Sequence, residues 1–146
     1  MSNQPFSWVK NGEGQHYGWS QDSLFVKVPS STTNGELSIV EDTLKPNFFL
    51  ARHHHKIMTE IFYVVEGQVE FIFDNQTIMS NKGDTIVVPP NTWHAAKCEK
   101  GGKMLTIFRN GQFDVYLAKL VTMTDADFKN DQLVKGVDKD YDIYKE

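Results

Sequence analysis

Cysteine is nearly absent: Cys98 is the only one in 146 residues. No intrachain disulfide can form, and a reducing, cytoplasmic setting is the expectation. No cluster of Lys or Arg stands anywhere in a chain whose net charge is −4. That removes the electrostatic footprint a nucleic acid or an anionic membrane would require, so neither is expected as a partner. Long apolar runs are missing as well. The opening M-S-N-Q-P-F-S-W-V-K has no charged n-region, so neither a signal peptide nor an anchor is expected, and no later stretch reaches the length of a membrane span. There is no internal repeat and no low-complexity tract. What remains is an ordinary globular composition, 40% hydrophobic with five prolines. It is read as one domain over residues 1–146, long enough to bury roughly two-thirds of its unfolded surface.

Along the chain the pattern is that of short strands. Residues 1–22 carry Gly12, Gly14 and Gly18 among aromatics and read as an irregular entry with a short strand near 16–19. Residues 23–28 (S-L-F-V-K-V) are a strand closed by Pro29, the polar S-S-T-T-N-G run is a turn, and 36–44 alternates as the next strand. Further strands, separated by Glu66-Gly67, Asp74-Asn75 and Lys82-Gly83-Asp84 turns, continue to Arg109. Such spacing predicts an all-β sandwich or barrel, with 23–110 as its core. Residues 111–146 form a helical extension. Its first helix, over 113–121, has Phe113, Tyr116, Leu117 and Leu120 on one face. A second begins at Asp125 behind Thr124 as N-cap and runs to about Val134. The charged tail is expected to dock Tyr141, Ile143 and Tyr144.

The chemistry concentrates between His53 and His94. Residues 53–60 read H-H-H-K-I-M-T-E, and residues 83–94 read G-D-T-I-V-V-P-P-N-T-W-H. Side chains alternate along a strand, so His53 and His55 share a face and His54 points away. Two imidazoles, a carboxylate a few residues on and a third imidazole from a distant strand are the ingredients of a metal site. The expected ligands are His53, His55, Glu60 and His94, holding one divalent ion: iron, manganese, nickel, cobalt, copper or zinc. Period two then places Phe49 and Ala51 inward with the histidines, and Phe62 and Val64 inward beside Glu60. Val69, Phe71 and Phe73 share the inner face of the next strand. In residues 104–109 (M-L-T-I-F-R) either Met104, Thr106 and Phe108 face inward, or Leu105 and Ile107 do. The expected pocket wall is Phe49, Ala51, Phe62, Val64, Phe71, Phe73 and Phe108, an apolar approach suited to a flat organic substrate.

The two motifs resemble those of the cupins, small β-barrels with an internal metal site. His53, His55, Glu60 and Gly67 match the first motif, and Gly83, Pro89 and His94 the second. The fifteen residues Gln68 to Lys82 lie between them. Asn47 and Asn91 stand where the family usually has glycine, and Cys98 where it has asparagine. Asparagine tolerates left-handed backbone, so both turns are expected to survive. The segments G-E-G-Q-H-Y, E-L-S-I-V-E and G-Q-F-D-V-Y resemble small single-domain, quercetin-dioxygenase-like cupins, in which a helix after the last strand covers the barrel edge.

The fold implied is the cupin (double-stranded β-helix, jelly-roll) barrel with short C-terminal helices. The function implied is a metal-dependent dioxygenase acting on a small enolic or phenolic aromatic compound. Glu60 would then ligate, or act as a base tuned between a nearby dication and an apolar surround. The same site would serve a Lewis-acid isomerase, cyclase or decarboxylase, or a non-catalytic binding module. A homodimer is expected, because a barrel this small leaves sheet edges and an apolar outer face uncovered.

Overall fold

A computed structural model describes residues 5–146; the first four residues of the N-terminal segment lie outside the described residues. Alternating burial builds the strands, which run in chain order as β1 (Gln15–Gly18), β2 (Asp22–Val28), β3 (Leu37–Leu44), β4 (Phe48–His54), β5 (Thr59–Glu66), β6 (Gln68–Phe73), β7 (Thr77–Asn81), β8 (Thr85–Val88), β9 (His94–Cys98) and β10 (Gly102–Arg109). Three helices follow, α1 (Phe113–Leu120), α2 (Asp125–Phe128) and α3 (Asp131–Asp140), and a two-residue strand β11 (Tyr144–Lys145) ends the chain. Among the described residues, no helix is long and apolar enough to cross a membrane.

The strands form two antiparallel sheets, one ordered β1-β2-β3-β10-β5-β8 and the other β11-β4-β9-β6-β7. Their inner faces meet in a core that includes Phe62 and Val64 of β5, Val69 and Phe71 of β6, Ala96 and Cys98 of β9 and Met104 of β10. Phe62 and Phe71 are buried almost completely and tilt against each other at 4.9 Å. Each contributes roughly 1.5–3 kcal/mol of transfer free energy. The result is a jelly-roll-like arrangement of two facing antiparallel sheets, as the strand pattern predicts.

The parity of β10 resolves in favour of Met104, Thr106 and Phe108, all buried, with Leu105 and Ile107 only partly so. The turns expected from asparagine are present: Asn47 and Asn91 adopt φ of 67° and 61°. The expected helix over 125–134 is instead two helices, α2 and α3. Thr124 caps α2 through a reciprocal capping box with Asp127, and Asn130 then caps α3 by accepting from the Leu133 amide. A side chain that competes for backbone amides this way stops one helix and starts the next. In the entry segment, Tyr17 and Trp19 fold back onto the chain's own core, whereas Phe6 and Trp8 stay exposed.

Candidate metal centre

The site is built where β4 runs out and β5 begins. His53 is the penultimate residue of β4, His55 lies just past its end, Glu60 sits near the start of β5, and His94 opens β9 directly across from His53. The Asn91 turn ties the second motif to the first, because the Asn91 amide donates to the His55 carbonyl at 2.6 Å. All four side chains are buried, and their ligand atoms lie within 4.8 Å of one another. Glu60 Oε2 stands 3.0 Å from His55 Nε2, 3.0 Å from His94 Nε2 and 3.8 Å from His53 Nε2.

The far nitrogens settle what this cluster wants. His53 Nδ1 lies 2.7 Å from the Ala51 carbonyl oxygen, His55 Nδ1 2.8 Å from that of Asp142, and His94 Nδ1 2.9 Å from that of Thr92. A carbonyl oxygen only accepts, so each Nδ1 carries the proton. The neutral rings therefore turn three bare Nε2 lone pairs toward a carboxylate oxygen that also only accepts. Such an arrangement is repulsive unless a cation sits among the four atoms. A divalent ion that takes imidazole nitrogen and carboxylate oxygen fits this donor set. Protons are the competing cations. Burial alone would raise the Glu60 carboxyl, but the three imidazoles around it overcome that and hold it well below the usual carboxylate range. Burial works against a charged His55, yet the hydrogen bond and charge of Glu60, with the Asp142 carbonyl, raise its pKa. Glu60 is thus firmly ionised rather than balanced near neutrality, as its sequence context had suggested.

His54 points away from the cluster. It stacks on Tyr144 at 5.2 Å and meets the edge of Trp93 at 4.3 Å, while Arg52 lies over Trp93 and pairs with Asp74 and Glu146. These contacts pin the outer face of β4 and so fix the register that turns His53 and His55 inward.

A cavity of ≈ 400 Å³ opens from the cluster, with His53, His55, Glu60, Phe62 and Phe108 in its wall. The expected pocket wall is only partly right. Between Leu50 and His53 the β4 ladder carries one extra residue relative to β9. This bulge reverses the parity upstream of the histidines, so Phe48 and Leu50 turn inward, and Phe49 is 48% exposed beside an exposed Ala51. Phe49 and Ala51 line the cavity as expected, although neither is buried. Val64, Phe71 and Phe73 do not line the cavity; they pack the apolar core next to it. In their place α1 supplies Phe113, Tyr116, Leu117 and Leu120, so the helical extension closes one side of the pocket. Tyr116 anchors that helix by donating to buried Asp138 of α3 at 2.6 Å.

One functional residue carries no motif signal. Asp142, at φ 63°, accepts from the Lys56, Ile57 and Met58 amides at 2.8–3.0 Å, while its carbonyl holds the His55 ring. The C-terminal tail therefore clamps the loop between His55 and Glu60. Only the alternation of acids and aromatics in D-Y-D-I-Y hinted that the tail docks at all.

A two-sheet jelly roll with an internal His₃Glu cluster and an apolar cavity defines a class of β-fold whose interior could hold a metal ion. Residues 40–108 match the cupin domain, and the two-sheet fold around the buried quartet is similar to that of the cupins. Among curated proteins it is 27% identical over 113 residues to the quercetin 2,3-dioxygenase of Bacillus subtilis (strain 168), a match covering 77% of this chain and 34% of that protein. It is 34% identical over 83 residues to an uncharacterized protein of Methanocaldococcus jannaschii, covering 45% of this chain and 65% of that one. The chain thus spans about a third of the first relative's length and just under two-thirds of the second's. Among solved structures, KdgF from Halomonas sp. superposes with a TM-score of 0.66 at 20% identity, over 75% of this chain and 99% of that one. At that identity the likeness speaks for the fold.

Proposed function

We propose that this chain is a metal-dependent dioxygenase acting on a small enolic or phenolic aromatic compound. The observation that carries the reading is the tautomer pattern, in which three Nδ1–H groups are spent on backbone carbonyls and three Nε2 atoms converge on an ionised Glu60. The similarity to a quercetin 2,3-dioxygenase supports the choice of chemistry. His53, His55, Glu60 and His94 would hold the ion, which when bound supplies Lewis acidity toward a substrate oxygen and, for a redox-active metal, access to dioxygen.

The chain's own residues do the rest. Glu60 Oε2 is enclosed and ionised, so it accepts the proton of an enol or phenol hydroxyl brought to the inner end of the cavity. Phe62 and Phe108 give that end flat apolar walls, and Phe48 and Met104 continue the apolar lining farther from the ligands. Helix α1 bounds one side of the pocket. A non-redox reading, isomerase, cyclase or decarboxylase, uses the same ion as a Lewis acid. Oxygen uptake separates the two. Protein loaded with iron, manganese, nickel, cobalt or copper should consume oxygen when given a flavonol. Turnover at an unchanged rate under strict anaerobiosis would move the assignment to the non-redox class.

A further inference from the structure

The cavity wall carries two acidic side chains that the metal centre does not use. Asp22 opens β2 and Asp42 lies on β3, and both line the cavity. They are 8% and 7% exposed, neither makes a salt bridge among the described residues, and Asp42 Oδ1 is buried without any hydrogen-bond partner. An unsatisfied carboxyl oxygen at nine-tenths burial costs stability, and native chains keep such groups where a ligand satisfies them.

The sheet register fixes where this pair stands. Across β3, β10 and β5 the rows read Ser38, Phe108, Glu60 and, four residues on, Asp42, Met104, Val64. Two strands and four residues separate Glu60 from Asp42, roughly 16 Å along the sheet between backbone positions. The acidic pair therefore lies at the end of the cavity remote from the ligands, with apolar Phe62, Val40 and Met104 between them.

We propose that Asp22 and Asp42 form a second polar subsite, one that takes a hydroxyl group at the end of the substrate remote from Glu60. This rests on the reading that the cavity is the substrate pocket. Burial first, then the Asp22 charge and hydrogen bond, push the Asp42 carboxyl up to about 9, so the pair holds one proton at neutral pH. A carboxyl pair with one proton donates and accepts at once, and a hydroxyl is the group that answers both. A methyl meets neither demand, and an ether meets the donor but leaves the acceptor unpaired. Lys45 is the cation that acts on Asp22, which leaves the pair with little net demand for a second positive charge. The ligand class is thus an elongated, flat molecule with an enolic oxygen at one end and a neutral hydroxyl at the other.

Fragment binding tests this without any turnover. The full chain, labelled at methionine methyls, is titrated with phenol, with isosteric fluorobenzene and with benzylammonium, following the Met104 signal, since Met104 faces Asp42 across the ladder. Phenol should bind about tenfold tighter than fluorobenzene, the range of one net hydrogen bond. Asp42→Asn, which keeps a donor and an acceptor, should retain that preference, and Asp42→Leu should abolish it. Should Asp42→Leu fail to fold, the wild-type comparison decides alone. Equal affinity for phenol and fluorobenzene, tighter binding of benzylammonium, or no movement of Met104 with any fragment would each overturn the subsite. A retained phenol preference in protein that binds no metal would instead leave the subsite standing and sink the enzyme reading.

Discussion

Replacing Asp42 by Asn should stabilise this protein, and by more as the pH rises. The Asp42 carboxyl ordinarily loses its proton near 3.8, but in the fold it is pushed up to about 9, chiefly by burial and then by Asp22. Below the lower value both folded and unfolded chains carry the proton, and the group costs nothing. Between the two, folding must take up a proton the unfolded chain has lost, so stability falls as pH rises through this window and levels off above it. At pH 7 the gap to 3.8 is about three pH units, or about 4 kcal/mol at 1.4 kcal/mol each, as an upper bound. Water entry and relaxation around the pair bring the expected gain of Asp42→Asn nearer 1–2 kcal/mol, on the order of a net buried hydrogen bond. Asp22, also raised by burial, and Lys45 beside it face the same group. Glu60 and His55 titrate alike in both proteins, so the difference between them isolates the acidic pair. Urea unfolding at pH 5 and pH 8 reads it directly. A variant whose advantage is the same at both pH values, or shrinks at pH 8, would refute the reasoning.

The remaining expectations concern the cluster and its supports. His54→Ala should keep its metal, while His53→Ala and His94→Ala lose most of it by elemental analysis, since only the latter two face Glu60. Asp142→Ala removes the carboxylate that accepts from three amides and loosens the segment whose carbonyl orients His55. It should cost about 2–3 kcal/mol in thermal unfolding, and about tenfold in metal affinity, read by competition with a chelator. Glu60→Gln should suppress turnover more than metal content, because it keeps an oxygen and removes the base. The expected homodimer would place Phe6 and Trp8, 61% and 75% exposed, against a second copy. Light scattering at micromolar concentration should then give twice the chain mass.

The ligand quartet was legible because its information is local. Three imidazoles and a carboxylate at strand and turn spacings define their own faces, and asparagines at 47 and 91 announce turns that need left-handed backbone. The pocket was less legible because a bulge leaves little mark. Nothing in F-F-L-A-R-H announces the extra residue between Leu50 and His53, and period two carried backward from the histidines put Phe49 on the inner face that Phe48 occupies. Val64, Phe71 and Phe73 were placed on the inner face correctly, but an inner face serves both core and cavity, and only the packing of α1 and the tail decides which. Asp22 and Asp42 escaped notice for a related reason: an acid in an alternating strand reads as solvent-facing until the sheet's partner is known. The split of α2 from α3 was present in the sequence as Asn130, a cap residue lying inside an expected helix.

The central claim is that His53, His55, Glu60 and His94 hold one divalent ion. Calorimetric titration of manganese, cobalt or nickel into chelator-stripped protein, run in two buffers of different ionisation enthalpy, tests it most directly. The account predicts one ion per chain, proton release set by the raised His55, and loss of the binding isotherm in His94→Ala. Absence of binding for every metal, or an isotherm unchanged in both His53→Ala and His94→Ala, would contradict it.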